Sequence, residues 1–130
     1  MIRSPYRTLE KAIGYKFRRR RRLEQALTHP SYRHEMEPTQ PDNQRLEFLG
    51  DAALGLVSAA MLYEAYPEAP EGELTRLRSL LTSTKALAQA ANRVGLGLFL
   101  RLGKGELLSG GRDRPSTLAD ALEAVIGAAF

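Results

Sequence analysis

The sequence contains no cysteine and only two histidines among its 130 residues. Without cysteine there are neither disulfide bonds nor thiolate metal sites, which fits a reducing compartment such as the cytoplasm. Because His29 and His34 are the only histidines, a zinc site of the usual composition and a histidine-based triad are both disfavoured. A phosphate-cradling glycine loop of the Walker type and a nucleophile elbow are missing as well. Any chemistry must therefore come from other residue types.

Long hydrophobic runs are also missing. Residues 1–6 lack the apolar stretch of a signal peptide, and the longest apolar run, residues 52–62, is too short to span a bilayer. A length of 130 residues suits one domain, and a hydrophobic content of 43% is sufficient for its core. We therefore expect residues 1–130 to form one soluble, cytoplasmic domain with no membrane partner.

Positive charge is concentrated near the N-terminus. Residues 1–33 carry ten Lys and Arg, including five consecutive arginines at 18–22, and have a net charge of +8, whereas the remaining 97 residues sum to −4. A basic surface beside an acidic cluster is what a metal-dependent enzyme acting on a polyanion requires, because one holds phosphates and the other holds cations. Taken alone, the arginine run is equally well a solvated helix start, since short basic runs are common.

The spacing of apolar residues is helical nearly throughout, with no convincing strand. Asp42 or Asn43 is a suitable N-cap for the longest helix, and Pro67 ends it. The last helix is still apolar at Phe130 with no stop signal, which indicates that the C-terminal end is truncated. The pattern predicts helices over 8–17, 21–28, 43–66, 70–81, 85–94 and 116–130, a helical turn over 96–102, and loops over 33–43 and 103–115.

Two acidic pairs stand on otherwise apolar helices. Glu47 and Asp51 are four residues apart and Asp120 and Glu123 are three apart, so each pair occupies one helix face. Such pairs are mostly solvent-facing or paired with Arg or Lys. Here the flanking residues are apolar, and small residues beside each pair, such as Gly50, allow the helices to approach closely. If the pairs face each other, their oxygens form a site for hard cations such as Mg²⁺.

Several segments, in order, match the motifs of one known family. Residues 44–54 (QRLEFLGDAAL) match its signature. The other matching segments are residues 26–32 (ALTHPSY), 71–78 (EGELTRLR), 102–106 (LGKGE), 109–111 (SGG) and 116–127 (STLADALEAVIG). Because these motifs cover nearly the whole chain at family-like spacing, the chain specifically resembles the catalytic domain of the ribonuclease III family, of the standard bacterial type.

The resemblance implies an all-α endonuclease domain that works as a homodimer and cleaves double-stranded RNA with Mg²⁺, which Mn²⁺ can replace. The expected products carry 5′-phosphate and 3′-hydroxyl ends, and the expected roles are rRNA and mRNA processing. Four carboxylates match the family's metal-binding and catalytic positions, with the two glutamates as direct metal ligands: Glu47, Asp51, Asp120 and Glu123.

Other positions receive secondary roles from the same resemblance. Glu71 matches an auxiliary acidic position near the cleavage valley. Phe48 matches an aromatic residue that plugs a pocket on the partner subunit, the alternative being an ordinary core phenylalanine. Three cations in the loop before the second acidic pair are candidates for RNA phosphate contacts, although an exposed loop needs charges in any case: Lys104, Arg112 and Arg114.

Two departures from the family pattern support an alternative function. The signature usually has a glutamate directly before Arg45, where this chain has Gln44, an amide that accepts hydrogen bonds but brings no charge. Bacterial members usually continue into a further helix and a double-stranded-RNA-binding domain, which this sequence lacks. The alternative is a catalytically impaired RNA-binding or scaffold domain of the same fold, and the intact quartet of carboxylates argues against it.

Overall fold

A computed structural model describes residues 4–130 as helices joined by short connections. The described residues contain no strand, and one isolated parallel bridge joins Thr28 to Arg101. The all-α prediction is therefore confirmed. The helices are α1 (Arg7–Ile13), α2 (Arg20–Ala26), α3 (Pro30–Glu35), α4 (Gln44–Ala65), α5 (Glu71–Leu81), α6 (Thr84–Arg93), α7 (Lys104–Leu108) and α8 (Pro115–Ala129), with 3₁₀ turns at Leu96–Phe99 and Gly111–Asp113.

The first helix is shorter than its apolar pattern predicts. Gly14 has φ +79°, a left-handed conformation that ends α1 at Ile13, and its N–H donates to the carbonyl oxygen of Glu10 at 2.9 Å. The chain then turns, so that the rings of Tyr15 and Phe17 pack edge to face with centroids 4.9 Å apart. The prediction of helix through residue 17 was wrong, because Gly14 ends the helix. The aromatic residues that follow, Tyr15 and Phe17, contact each other from the non-helical segment after it.

Two short helices lie where loops were predicted. Helix α3 occupies the start of the predicted loop 33–43, and α7 lies inside the predicted loop 103–115. Both begin at contacts that short-range periodicity does not reveal: His29 Nδ1 accepts from the Ser31 N–H at 3.1 Å, and Glu35 Oε2 accepts from the Lys104 N–H at 2.7 Å. Helices of six and five residues are too short to show an apolar stripe.

Helix α8 is the centre of the core. It packs against α2, α4 and α6 and is buried on several sides. This explains why its sequence is apolar nearly all round. Its main core contributions are Leu118, Ala121, Ala124 and Val125, and the fully buried leucines of other segments that complete the core are Leu9, Leu23, Leu27 and Leu96.

Helices α4 and α8 cross in backbone contact. A Cβ on Gly50 would overlap the carbonyl oxygen of Glu123 and lie 2.9 Å from the backbone nitrogen of Gly127. A Cβ on Gly127 would overlap the carbonyl oxygen of Leu46. Only glycine fits at either position, as expected for Gly50 from the small residues beside the acidic pairs. The crossing brings the acidic turn of α4 next to that of α8.

Helix α4 is the one described helix that meets the length and hydropathy criteria for a membrane span. These criteria are weak evidence, because a central helix of a water-soluble fold also satisfies them. Glu47 and Asp51 stand in its first half, and its Gly50 packs against α8. The expectation of no membrane partner therefore stays a prediction.

Candidate active site

The two acidic pairs meet at the α4–α8 crossing. The carboxyl groups of Glu47 and Asp120 are within hydrogen-bonding distance of each other, as are those of Asp51 and Glu123. Three of the four residues are half-buried and Asp51 is exposed. The charges of the other three all act on Glu123, so the four carboxyl groups form one cluster.

Burial and mutual repulsion make this cluster hold protons. Burial, followed by the hydrogen bond and charge of Asp51, raises the pKa of Glu123 to about 7. Burial also raises the pKa of Glu47, and the neighbouring Asp120 raises it further. At neutral pH, therefore, the cluster retains protons that isolated carboxyl groups would release.

The two pairs perturb their members in different ways. The hydrogen bond between Glu47 and Asp120 raises the pKa of Glu47 and lowers that of Asp120. The pKa of Asp120 is still raised on balance, because burial outweighs this hydrogen bond and the charge of His29. Burial is therefore the main reason that Glu47, Asp120 and Glu123 retain protons more strongly than isolated carboxyl groups do.

The donor set suits a hard cation, but its present arrangement is not a ready-made cage. Carboxylate oxygens are the ligands that Mg²⁺ and Mn²⁺ prefer, and no softer ligand stands among the four. Within residues 4–130, however, no three His, Asp or Glu side chains are grouped so that they could hold a metal ion as they stand. Metal binding would require these carboxyl groups to release the protons that their raised pKa values favour. The ligand roles of Glu47, Asp51, Asp120 and Glu123 stay a prediction.

His29 is a neighbour of the site whose position sequence reasoning missed. Its Nδ1 lies 2.8 Å from Ser31 Oγ and accepts from the Ser31 N–H, and the Gly103 N–H donates to the same Oγ at 2.9 Å. A positive charge on this ring lowers the pKa of Asp120, so His29 acts on the site. The sequence signal for its position is the motif Thr28-His29-Pro30 at the start of α3.

The two auxiliary positions lie apart from each other. Gln44 is the exposed first residue of α4, one turn before Glu47 on the same helix face. Glu71 begins α5 and lines a cavity of about 230 Å³ together with Ala59 and Leu62. Because Ala59 lies eight residues beyond Asp51, this cavity is about 12 Å from the acidic cluster along α4. Glu71 therefore does not join the cluster within one chain, and its auxiliary role stays a prediction.

Phe48 is not a core residue. Its side chain is 81% exposed, which rules out the alternative of an ordinary core phenylalanine. On a helix of 3.6 residues per turn it shares one side of α4 with two other exposed apolar side chains, and we call this side the α4 face: Phe48, Leu56 and Tyr63. A surface of this kind is a typical protein–protein contact.

The three cations suggested for RNA binding have different surroundings. Lys104 is exposed at the start of α7. Arg112 is half-buried and donates to the carbonyl oxygens of Gly97 and Leu100 at 2.5 and 3.1 Å. Arg114 pairs with Glu106. The two arginines hold this segment together through contacts within the chain, and a role in RNA binding stays a prediction for all three.

An all-α domain with four clustered carboxyl groups at a helix crossing defines a class, that of helical proteins with an acidic site. The comparison with known proteins identifies the family. The Ribonuclease-III-like family model matches residues 20–130, so the chain belongs to the ribonuclease III family.

Curated relatives agree with this assignment. Ribonuclease 3 from Symbiobacterium thermophilum is 52% identical over 119 residues, covering 92% of this chain and 50% of the relative. Ribonuclease 3 from Geobacter sulfurreducens is 53% identical over 123 residues, covering 94% of this chain and 50% of the relative. The chain thus spans about half the length of the curated relatives it matches.

A solved structure shows the same fold. The nuclease domain of ribonuclease III from Campylobacter jejuni superposes with a TM-score of 0.88 at 41% identity, covering 95% of this chain and 82% of that one. The fold and the sequence family therefore agree.

The raised pKa of Glu123 predicts how stability depends on pH when a chelator is present. Because Glu123 has an ordinary pKa of 4.5 and a folded-state pKa of about 7, its protonated form stabilises the fold fully at low pH, and this contribution is lost as pH rises through 7. We expect Glu123→Gln, which mimics the protonated form, to melt at a temperature increasingly above wild type between pH 5 and pH 8. Thermal unfolding of both proteins at each pH measures this difference. A constant difference across the range would contradict the prediction.

Proposed function

We propose that this chain is a Mg²⁺-dependent endoribonuclease domain that cleaves double-stranded RNA and leaves 5′-phosphate and 3′-hydroxyl ends. The observation that carries the proposal is the convergence of four carboxyl groups from α4 and α8 into one half-buried cluster. Membership of the ribonuclease III family supports it.

The four side chains have separable tasks in this proposal. Glu47 and Glu123 hold the cation directly, while Asp51 and Asp120 complete the negative charge and orient water. Bound Mg²⁺ held by these carboxylates would supply an activated water and would stabilise the leaving oxygen of a phosphodiester. Because burial and the neighbouring carboxyl groups raise the pKa of Glu47 and Glu123, the cluster must lose protons before it binds a cation.

The proposed substrate follows from the family and from charge. The chain carries a net charge of +4 with its cations concentrated in residues 1–33, which suits a polyanion. A-form RNA is recognised mainly by shape and by contacts to phosphates and 2′-hydroxyls, so a catalytic domain of this kind does not need to read base sequence.

Incubation with a long RNA duplex tests the proposal. With Mg²⁺ we expect cleavage, and with excess chelator we expect none. A parallel reaction on single-stranded RNA of the same sequence is the specificity control. Cleavage that persists in chelator would contradict the metal requirement, and binding without cleavage at any metal concentration would support the scaffold alternative that Gln44 suggests.

We also propose that the α4 face pairs with a second copy of this chain. The face lies beside the mostly apolar cavity lined by Ala59, Leu62 and Leu74, into which a phenyl ring of the partner could insert. One Campylobacter nuclease-domain structure is described as having structural flexibility in a region involved in dimer formation. Closed two-fold dimers are the commonest soluble assemblies, and they require a self-complementary surface of this kind.

Phe48→Ala tests the pairing. Burying a phenylalanine contributes roughly 1.5–3 kcal/mol per site, and a two-fold dimer has two such sites, so we expect dimerisation to weaken by two to four orders of magnitude. Sedimentation velocity over a concentration series measures the change. Leu108→Ala is the matched control, because Leu108 is 89% exposed on α7, away from α4. An unchanged sedimentation profile for Phe48→Ala would contradict the interface.

A further inference from the structure

The five arginines at 18–22 differ in their surroundings. Arg20 is anchored within the chain: its Nε donates to Glu24 Oε1 at 3.0 Å, and its guanidinium carbon lies 5.6 Å from the centroid of the Tyr6 ring. Among the described residues, the other four form no salt bridge, and all are exposed: Arg18, Arg19, Arg21 and Arg22. We call these four the arginine track. Four neighbouring cations without anionic partners repel one another, so an anion that binds there gains more than at an isolated arginine.

Helix α2 leads from the arginine track to the acidic cluster. Its buried residues Leu23 and Ala26 fix it against the core, so the track faces solvent. Beyond its C-terminal end, Thr28 O accepts from the N–H of Asn43, directly before α4 begins. Because the seven residues of α2 span about 10 Å, the start of the track lies roughly one length of this helix from that connection.

A polar cleft of about 440 Å³ lies between the arginine track and the segment that precedes α4. Guanidinium, amide and hydroxyl groups line it, which are the groups that bind phosphate oxygens: Arg21, Gln25, Thr28, Gln40 and Arg101. Glu24 is its one acidic residue, and this carboxylate already lies within salt-bridge distance of both Arg20 and Arg101. Arg21 is therefore the cation of the cleft that remains free for a ligand.

We propose that the arginine track and this cleft bind the phosphate backbone of the RNA duplex outside the cleavage position. This inference rests on the proposed function, since it extends the footprint of the same substrate. The charge of the track selects a polyanion, and continuity with α2 places it within reach of a duplex seated at the acidic cluster. Binding there involves phosphates alone, so it adds affinity without sequence preference.

The salt dependence of duplex binding tests the proposal. Each phosphate contact contributes roughly 0.7–0.9 to the slope of log affinity against log salt, so we expect R18Q/R19Q and R21Q/R22Q each to reduce the slope by about 1.5. K85Q/R93Q on α6 removes the same charge from an exposed surface elsewhere and should leave the slope nearly unchanged. Fluorescence anisotropy with Mg²⁺, with all proteins carrying Glu123→Gln to prevent cleavage, measures the slopes.

Several results would overturn the proposal. If the track variants and K85Q/R93Q had equal slopes of log affinity against log salt, the track would contribute no more to RNA binding than other surface cations do. If the track variants lost binding to anionic phospholipid vesicles while their salt slope for RNA binding stayed unchanged, the track would belong to a membrane-binding surface. Arg21 and Arg22 lie in α2, where Arg and Gln have similar helix propensities, and Arg18 and Arg19 are exposed before it, so the variants should fold. Measured melting temperatures test this expectation. Failure of the nuclease proposal is distinguishable, because it appears as absent cleavage by the chain that retains Glu123, whatever the slopes.

Discussion

Replacement of Glu123 by glutamine is expected to abolish RNA cleavage while leaving RNA binding nearly intact. The amide keeps the size of the side chain and its hydrogen bond to Asp51, but it removes the negative charge that a cation requires at the centre of the cluster. Loss of metal-based charge stabilisation amounts to several kcal/mol, so we expect a rate at least about a thousandfold lower. Single-turnover cleavage of an RNA duplex measures the rate, and a binding assay on the same duplex measures the affinity.

Glu68→Gln is the matched control for this experiment. Glu68 is exposed in the connection between α4 and α5, and its substitution changes net charge by the same amount. We expect wild-type cleavage from this variant. If Glu123→Gln lowered binding as strongly as cleavage, Glu123 would be a structural residue instead of a metal ligand.

Gly127→Ala is expected to have the largest effect on stability. The new Cβ would overlap the carbonyl oxygen of Leu46 and lie 3.0 Å from the backbone nitrogen of Gly50, so α4 and α8 would have to separate. Overpacking in a core costs up to about 3 kcal/mol, and more where rigid backbone opposes it, which is the case at this crossing. Chemical denaturation measures the free energy of unfolding.

Gly72→Ala is the control for the glycine experiment. A Cβ at Gly72, in the first turn of α5, would meet no atom within 4 Å, so alanine should be neutral or stabilise by up to about 1 kcal/mol. Since the crossing also sets the distance between the acidic pairs, Gly127→Ala protein that remains folded should have lost its cleavage activity as well. Full stability of Gly127→Ala would contradict the backbone contact at the crossing.

Much of the fold could be predicted from local pattern. The long helix α4 was expected over 43–66 and runs from Gln44 to Ala65. Asp42 Oδ1 accepts from the Gln44 N–H at 3.0 Å before it, the apolar spacing continues along it, and Pro67 follows it. Helices α3 and α7 were not expected, because helices of six and five residues are too short to show an apolar stripe. Helix α7 also begins at a contact with a segment distant in sequence. Glu35 and Lys104 are 69 residues apart, and their hydrogen bond appears in no local pattern.

The candidate site was predictable in composition but not in electrostatic state. Spacing placed Glu47 and Asp51 on one face of a helix, and a small residue at position 50 indicated close packing. The proton held by Glu123 could not be predicted, because its pKa depends on burial and on carboxyl groups brought from another helix. Gly127 was visible as a helix glycine, but its contact with α4 follows only from the crossing.

The amino-acid sequence by itself determined the helix periods, the acidic pairs, the arginine run and the family motifs, since all of these are local or ordered along the chain. Only the tertiary structure decided that Phe48 faces solvent, that Arg112 and Arg114 bond within the chain, and that the acidic pairs meet and raise the pKa of Glu123. The physical reason is that burial and pairing depend on which surfaces meet, and two glycines at one crossing determine how closely α4 and α8 approach.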